Sequence, residues 1–393
     1  MFHVKHSQYI CSIGGYYDML NTNTLRPVWA EIDLSNFKRN VNVVRDLVSS
    51  TAEVMAVVKA NAYGIGAVPA SEAAVESGAS WLAVATPDEA VELKQALPQS
   101  NILVLGPVTR EAAEVLVGLG VSLTVTSVQG FKDAEDAARR SRKQAKIHLK
   151  IDTGMGRIGF RPGVELETAL DCMSRSSEVE IEGAFTHLAV ADVDPKYTEL
   201  QLSLFKDGVT SLSRRGIRPR YLHTANSAGI LAWPESHYNL VRPGIMLYGC
   251  YPDKSLADRA PLYPVFSLRA CVSHVKEVPE GTKVGYGITY ETREDTAIAT
   301  VPIGYADGYP RSLSNRGSVL IKGKKCPIAG RVCMDQLMID IGRDSNVQPG
   351  DMVTLIGRDG IEEITLDEVA ALVGTITHEI LTGISARVPR IYV

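Results

Sequence analysis

Residues 54–105 read VMAVVKANAYGIGAVPASEAAVESGASWLAVATPDEAVELKQALPQSNILVL. Three short runs rich in β-branched and apolar residues, at 54–58, 81–85 and 102–105, are separated by stretches at 69–77 and 87–97 whose apolar residues recur at helical spacing. A period that switches between that of a strand and that of a helix marks βα units, and strands joined by helices run parallel. The alternation continues, with strands expected at 122–125, 146–151, 181–185, 220–223 and 240–247, the last interrupted by Arg242-Pro243-Gly244. Helices are expected at 109–119, 134–144, 164–174 and 197–215, and a short one after Asn226. Eight such units match an α/β fold of the (β/α)8 TIM-barrel kind better than an open doubly wound sheet.

Beyond Pro264 the texture changes to FSLRACVSHVKEV, TAIATVPIG, SVLIKGKKCPIAGRVCM, QLMIDIG and DMVTLIG, strands and glycines without a long helix, which predicts a predominantly β domain. The expected division is an N-terminal extension at 1–24, with Met19 an alternative start, and a first strand at 25–33 able to pair with the C-terminal β domain. A ligand-binding barrel follows at 34–263 and the β domain at 264–393. With 393 residues the chain has material for two packed cores. Its formal net charge of -4 at pH 7 gives no basic field for nucleic acid.

Six cysteines (Cys11, Cys172, Cys250, Cys271, Cys326, Cys333) are scattered without a C-x-x-C pair, which reads as free thiols in a reducing compartment. No metal cluster is expected. No apolar run reaches the length of a signal peptide core or a membrane span, so the expected setting is cytoplasmic, with small molecules or a second copy of the chain as partners and no membrane.

In a barrel the chemistry sits at the C-terminal ends of the strands. Lys59 ends the first strand in VMAVVKANAYG, Arg157 follows the fifth in LKIDTGMGRIGF, and His187 ends the sixth in FTHLAVAD. His223 and Ser227 follow the seventh in YLHTANSAG, and Arg242 lies in the eighth in LVRPGIMLYG. A lysine directly after an apolar strand is partly desolvated, which lowers its pKa toward a nucleophilic amine; alone it could equally be snorkelling to water. Loops after the last two strands commonly hold phosphate, and here they offer Ser227 and the Gly244 and Ile245 amides, with Tyr63 as a further donor. Ser227 as a plain helix cap is the alternative. A Schiff-base lysine beside a phosphate site points to pyridoxal 5'-phosphate. Gly154-Met155-Gly156-Arg157-Ile158-Gly159 matches G-x-G-x-x-G but comes after four earlier βα units, and Pro162-Gly163 delays the next helix, so a dinucleotide loop is discounted.

With these residues assembled, AVVKANAYG, KIDTGMGRIG, HTANSAG, VRPGIMLYG, GYGITY, VPIGYADGYPR, AGRVCMDQ and RVPRIY resemble, in order, the motifs of the alanine racemase family over about residues 25–393. The resemblance implies a pyridoxal phosphate enzyme that interconverts L- and D-alanine, supplying D-alanine for peptidoglycan. It implies that Lys59 carries the cofactor and serves one face of the substrate α-carbon, and that Tyr286 serves the other from the second subunit of a homodimer. Two groups on opposite faces are what inversion requires, because a single base returns the proton to the side it left. Both have ordinary pKa values near 10, so the site must lower them.

The same resemblance has Arg242 bonding the pyridine nitrogen, His187 linking Arg242 toward Tyr286, and Arg157 reaching the phenolic oxygen and the substrate carboxylate. Tyr305, Met334 and Asp335 resemble residues on the substrate side and entrance, the alternative being β-domain core and turn. Lys150 resembles a lysine that is carbamylated in relatives. Ile65 and His378 stand where the family often has histidine and tyrosine, and Gly383 where it is often basic. A broad-specificity or serine racemase and a non-catalytic pyridoxal phosphate barrel are the rival functions. A decarboxylase is disfavoured because Arg242 brings the wrong charge to the cofactor nitrogen.

Overall fold

The structure, a computed structural model, describes residues 25–393, so the expectations for Cys11, Met19 and the N-terminal extension lie outside the described residues. The described chain divides into two compact units, one formed by Leu34–Pro264 and the other by residues 25–33 together with Val265–Val393. Strand β1 (Val28–Ile32) belongs to the second unit, and helix α1 (Leu34–Leu47) opens the first. The sequence reading missed α1. Its buried face is Phe37, Asn40, Val41 and Val44, and an asparagine on that face blurs the apolar period. Asn40 belongs there because its amide donates to the Leu247 and Tyr263 carbonyls and its oxygen accepts from the Tyr263 amide.

The first unit continues with β2 (Glu53–Val57), α2 (Ala67–Glu76), β3 (Trp81–Val84), α3 (Pro87–Ala96), β4 (Asn101–Val104), α4 (Arg110–Gly118), β5 (Ser122–Val125), α5 (Val128–Ser141) and β6 (Ala145–Lys150). It ends with α6 (Val164–Met173), β7 (Val179–Phe185), α7 (Pro195–Arg214), β8 (Tyr221–His223), α8 (Ser227–Ala232) and β9 (Leu240–Val241). The eight strands β2 to β9 form one sheet, order β8-β7-β6-β5-β4-β3-β2-β9, with every ladder parallel. The Arg242 amide donates to the Ala225 carbonyl (3.0 Å) and the Leu222 amide to Asn239 Oδ1 (2.8 Å), joining the two remaining edges. The expected (β/α)8 barrel is therefore present.

The eighth strand is shorter than expected. It stops at Val241, where Pro243 has no amide to give a ladder, and Ile245–Tyr248 coils into a 3-10 turn. That turn buries Tyr248, whose hydroxyl donates to the Val57 carbonyl (2.9 Å) and whose ring meets Phe37 edge-on.

The second unit pairs β1 antiparallel with β10 (Phe266–Cys271) and runs on through β11 (His274–Val278), β12 (Lys283–Val284), β13 (Tyr290–Glu291) and β14 (Thr296–Val301). Then come β15 (Ser318–Ile321), β16 (Lys324–Pro327), β17 (Leu337–Asp340), β18 (Met352–Asp359), β19 (Glu362–Ile364), the short helices α9 (Leu366–Val373) and α10 (Thr377–Gly383), and β20 (Arg390–Tyr392). The main sheet has the order β16-β15-β18-β10-β1-β20, with β19 on β18; β11-β14-β17 and the β12-β13 hairpin are separate. This is the predominantly β architecture expected.

Candidate active site

The chain leaves β2 through an unusual turn. Ala60, Asn61, Ala62 and Tyr63 all have positive φ, between 51° and 53°, so Lys59–Tyr63 closes as a left-handed turn built from L-residues without a glycine. Each such residue costs roughly 1–2 kcal/mol, and strain of this kind persists where the surroundings over-determine it. Here the Ala62 amide donates to the Val58 carbonyl, the Gly64 amide to Ala60, and Asn61 Oδ1 accepts from the Ala67 amide at the start of α2. Lys59 stands half-buried at one end of the turn and Tyr63 buried at the other.

Cations gather at this mouth. Burial first, and then the charge of Arg157, lower the Lys59 pKa, while Glu89 opposes them. Lys150 is 2 % exposed, donates to the Ile151 carbonyl and lies near the Phe185 ring. Its amine is lowered to about 8, by burial and by Arg242 and Arg157, against the attraction of Asp152. His187 is pushed well below the usual histidine range by desolvation and by Arg242, Arg157, Lys150 and Lys59. Four cations and a neutral imidazole facing one region suit a multiply anionic ligand. Gln201, which the sequence reading passed over, holds the His187 loop: its amide donates to the His187 carbonyl and Thr153 Oγ1, and its oxygen accepts from the Ala189 amide.

Arg242 is fully enclosed. It donates to the Thr186, His223 and Thr224 carbonyls and to His223 Nδ1 (2.8 Å). Burial, then Arg157, lower its pKa to about 9. Because a guanidinium only donates, His223 Nδ1 must accept, which puts the ring proton on Nε2. That nitrogen lies 2.8 Å from His148 Nδ1, so His148 in turn carries its proton on Nε2, 3.5 Å from Glu182 Oε2. Burial would raise the Glu182 carboxyl, but His148, Ser122 and Lys146 hold it at about 2. The string Arg242–His223–His148–Glu182 is thus assigned a single proton arrangement. Among the described residues Arg242 makes no hydrogen bond to His187; its charge is one of the causes that keep the His187 ring neutral. One signal was available in the sequence: His148 and Lys150, two apart in a strand, share a face.

The phosphate candidates converge. A Cβ on Gly244 would stand 2.7 Å from the Tyr63 hydroxyl and 3.9 Å from Ser227 Oγ, so only glycine leaves this hollow open. Ser227 Oγ accepts from the Gly244 and Met246 amides, and Ile245 is buried beside them. Ser227 is not the cap of α8; Asn226 is, accepting from the Gly229 amide. The G-x-G-x-x-G segment holds no helix N-terminus open. Asp152 Oδ1 takes the Gly154 and Gly156 amides, and a Cβ on Gly159 would collide with the Lys150 carbonyl at 2.6 Å.

In the second unit, Tyr286 rides the 3-10 turn Tyr286–Ile288 between β12 and β13 and is 72 % exposed. Met334 and Tyr305 are 53 % and 41 % exposed, so neither belongs to the core. The Tyr305 and Ala306 amides donate to the Cys333 and Met334 carbonyls, binding those two loops together. Asp335 accepts from Arg387, which also pairs with the buried Asp307, itself a double acceptor from Arg26. Arg331, another residue the sequence reading left out, brings its guanidinium near Gly287 in the Tyr286 turn. Ile65 is buried in the first unit, and His378 is half-buried on α10.

Fold and site define a barrel enzyme for a small anionic ligand, accompanied by a β-rich unit with an exposed tyrosine turn. Comparison narrows the class. The family model "Alanine racemase, N-terminal domain" matches residues 32–252, and "Alanine racemase, C-terminal domain" matches 265–392. An alanine racemase of Methanococcus maripaludis is 46% identical over 368 residues, covering 93% of this chain and 98% of its own. The crystal structure of alanine racemase from Bacillus anthracis with bound L-Ala-P superposes with a TM-score of 0.89 at 41% identity, covering 95% of this chain and 96% of that one. Alanine racemase from Bartonella henselae with covalently bound pyridoxal phosphate gives 0.83 at 32% identity, covering 93% and 99%. The chain belongs to the alanine racemase family.

Proposed function

We propose that this chain interconverts L-alanine and D-alanine by a two-base mechanism, with pyridoxal 5'-phosphate carried on Lys59. The observation that carries the reading is the glycine hollow at Gly244, ringed by Tyr63, Ser227 and Ile245, at the same barrel mouth as an amine whose pKa burial has lowered. The donor set fits the group: Tyr63, Ser227, Gly244 and Ile245 would hold the phosphate, Arg157 the phenolic oxygen and Arg242 the pyridine nitrogen. When bound, pyridoxal phosphate supplies the conjugated system that stabilises negative charge at the substrate α-carbon.

The chain's own groups handle everything else. Arg157 orients the substrate carboxylate. Lys59, lowered by burial and Arg157, holds or accepts the α-proton on one face. Tyr286, exposed on its turn, works on the other face from a second copy of the chain, and the exposed Ile288, Tyr305 and Met334 supply apolar surface for such a homodimer. Met334, Asp335 and Tyr305 line the substrate side. His187 stays neutral and cannot protonate the reacting carbon. Lys150, with an amine lowered to about 8, is in part unprotonated at neutral pH and so open to carbamylation, which would place an anion opposite Arg157. Intact mass measured before and after acidification, which releases carbamate, tests that point.

Supplying D-alanine for peptidoglycan is the family's general role and the one assigned here. The cytoplasm is the matching setting, where thiols stay reduced, and no disulfide joins the described cysteines. A chiral assay of purified protein with L-alanine, L-serine and larger amino acids, with and without added pyridoxal phosphate, tests the whole reading. D-alanine is expected as the main product; its absence under every condition would overturn the function, and faster D-serine formation would move the substrate to serine.

A further inference from the structure

Glu89 does more than the sequence asks of it. TPDE at 86–89 is a capping box: the Glu89 amide donates to Thr86 Oγ1 (3.4 Å), and Glu89 Oε2 accepts from the Thr86 amide (3.1 Å) and the Ala85 amide (2.8 Å). A capping box ends there. In this chain the other oxygen, Oε1, accepts from the Ala60 amide at 2.6 Å, across to the loop that follows β2. Ala60 is the first residue of the left-handed turn, and the opening amides of any helical turn find no acceptor within it. The turn's own hydrogen bonds begin later, with the Ala62 amide.

We propose that Glu89 is a positioning residue for Lys59: its carboxylate locks the Ala60 amide, fixes the handedness of the turn, and so sets where the Lys59 amine stands at the barrel mouth. The proposal rests on Lys59 being the cofactor-bearing lysine. One carboxylate spanning the loops after β2 and β3 makes the turn rigid at the residue next to the amine, where a shift of an ångström costs most. The negative charge of Glu89 also opposes, at Lys59, the lowering by burial and Arg157.

The test compares Glu89→Gln with Thr86→Ala, which weakens the same cap without touching Ala60, in the pyridoxal phosphate-loaded full chain. In Glu89→Gln the side chain has one acceptor oxygen where the carboxylate has two, so it cannot serve both the cap and Ala60. With the cap amides and Ala60 competing for that oxygen, the variant should show backbone hydrogen exchange across 59–66 quickened about tenfold, the protection an ordinary hydrogen bond confers. Its kcat on alanine should fall about 10- to 100-fold with KM moving less than about threefold. Thr86→Ala should leave both near wild type. Equal losses in the two variants, or no change in Glu89→Gln, would overturn the proposal. Should Glu89→Gln fail to fold, Glu89→Asp keeps the charge but falls one methylene short; it should show the same pattern, and wild-type exchange and kcat in it would equally defeat the idea. A wild-type chain that makes no D-alanine would sink the functional reading alone, because the exchange comparison needs no turnover.

Discussion

The barrel mouth and the Tyr286 turn offer the two proposed proton-handling groups on opposite kinds of ground. Lys59 sits half-buried on a strained turn, among cations of which Lys150 and Arg242 are tied to carbonyls and lie near the Phe185 ring. Tyr286 stands 72 % exposed on a turn that Arg331 and Met338 approach. The difference teaches how the proposed two-sided reaction would be divided: the fold itself tunes the Lys59 amine, lowering it by desolvation, and Tyr286 is presented on the surface.

Lys59→Ala strikes the tuned side. Racemisation should fall at least about 10^3-fold and the visible absorption of the lysine-bound cofactor should vanish; an unchanged spectrum would refute the assignment of that lysine. Tyr286→Phe strikes the other side, lowering turnover by about 10^2- to 10^4-fold while the absorption stays. A non-catalytic carrier would lose nothing, and a variant that lost its spectrum would break the division of labour.

Acid should weaken the tuned side through its histidines. His148 and His223 are both lowered by burial, so below the ordinary histidine pKa of about 6.5 the unfolded chain binds protons that the folded barrel refuses. Their contribution is full above that pH and is lost as pH falls, by up to about 1.4 kcal/mol per pH unit for each ring. The thermal midpoint should drop from pH 7 to pH 5, and a flat profile would contradict the assigned neutral rings. Gly244→Ala fills the hollow and should weaken pyridoxal phosphate binding about tenfold, measured by absorbance titration. Tyr63→Phe should cost the least, a few-fold in the same titration. Equal binding in both variants would remove the phosphate from that hollow.

Much of the fold could be seen in the sequence because several parallel strands, β2 to β4 most plainly, are runs of mostly buried apolar residues. Strand-end residues followed from that: once β2 ends before Lys59 and β7 before His187, both must stand at the mouth. Other features had no local signature. KANAY carries ordinary helix formers, and nothing in it announces a left-handed turn, whose conformation is imposed by partners such as Glu89 that lie 29 positions away. Arg242, His223, His148 and Glu182 are strung together by barrel closure, which period alone cannot register. Helix α1 was missed because its buried asparagine serves two carbonyls that only the fold brings near.

In barrels of this kind the end of the strands away from the active-site loops carries stability and little chemistry. The histidine string joins the two ends along one column. Glu182, on β7, lies 3.5 Å from the His148 nitrogen that bears hydrogen, and His223 links that ring to Arg242. A neutral-looking exchange deep on β7 would therefore be felt as altered chemistry far above it, and variation at Glu182 is constrained by what happens at the opposite end of the column.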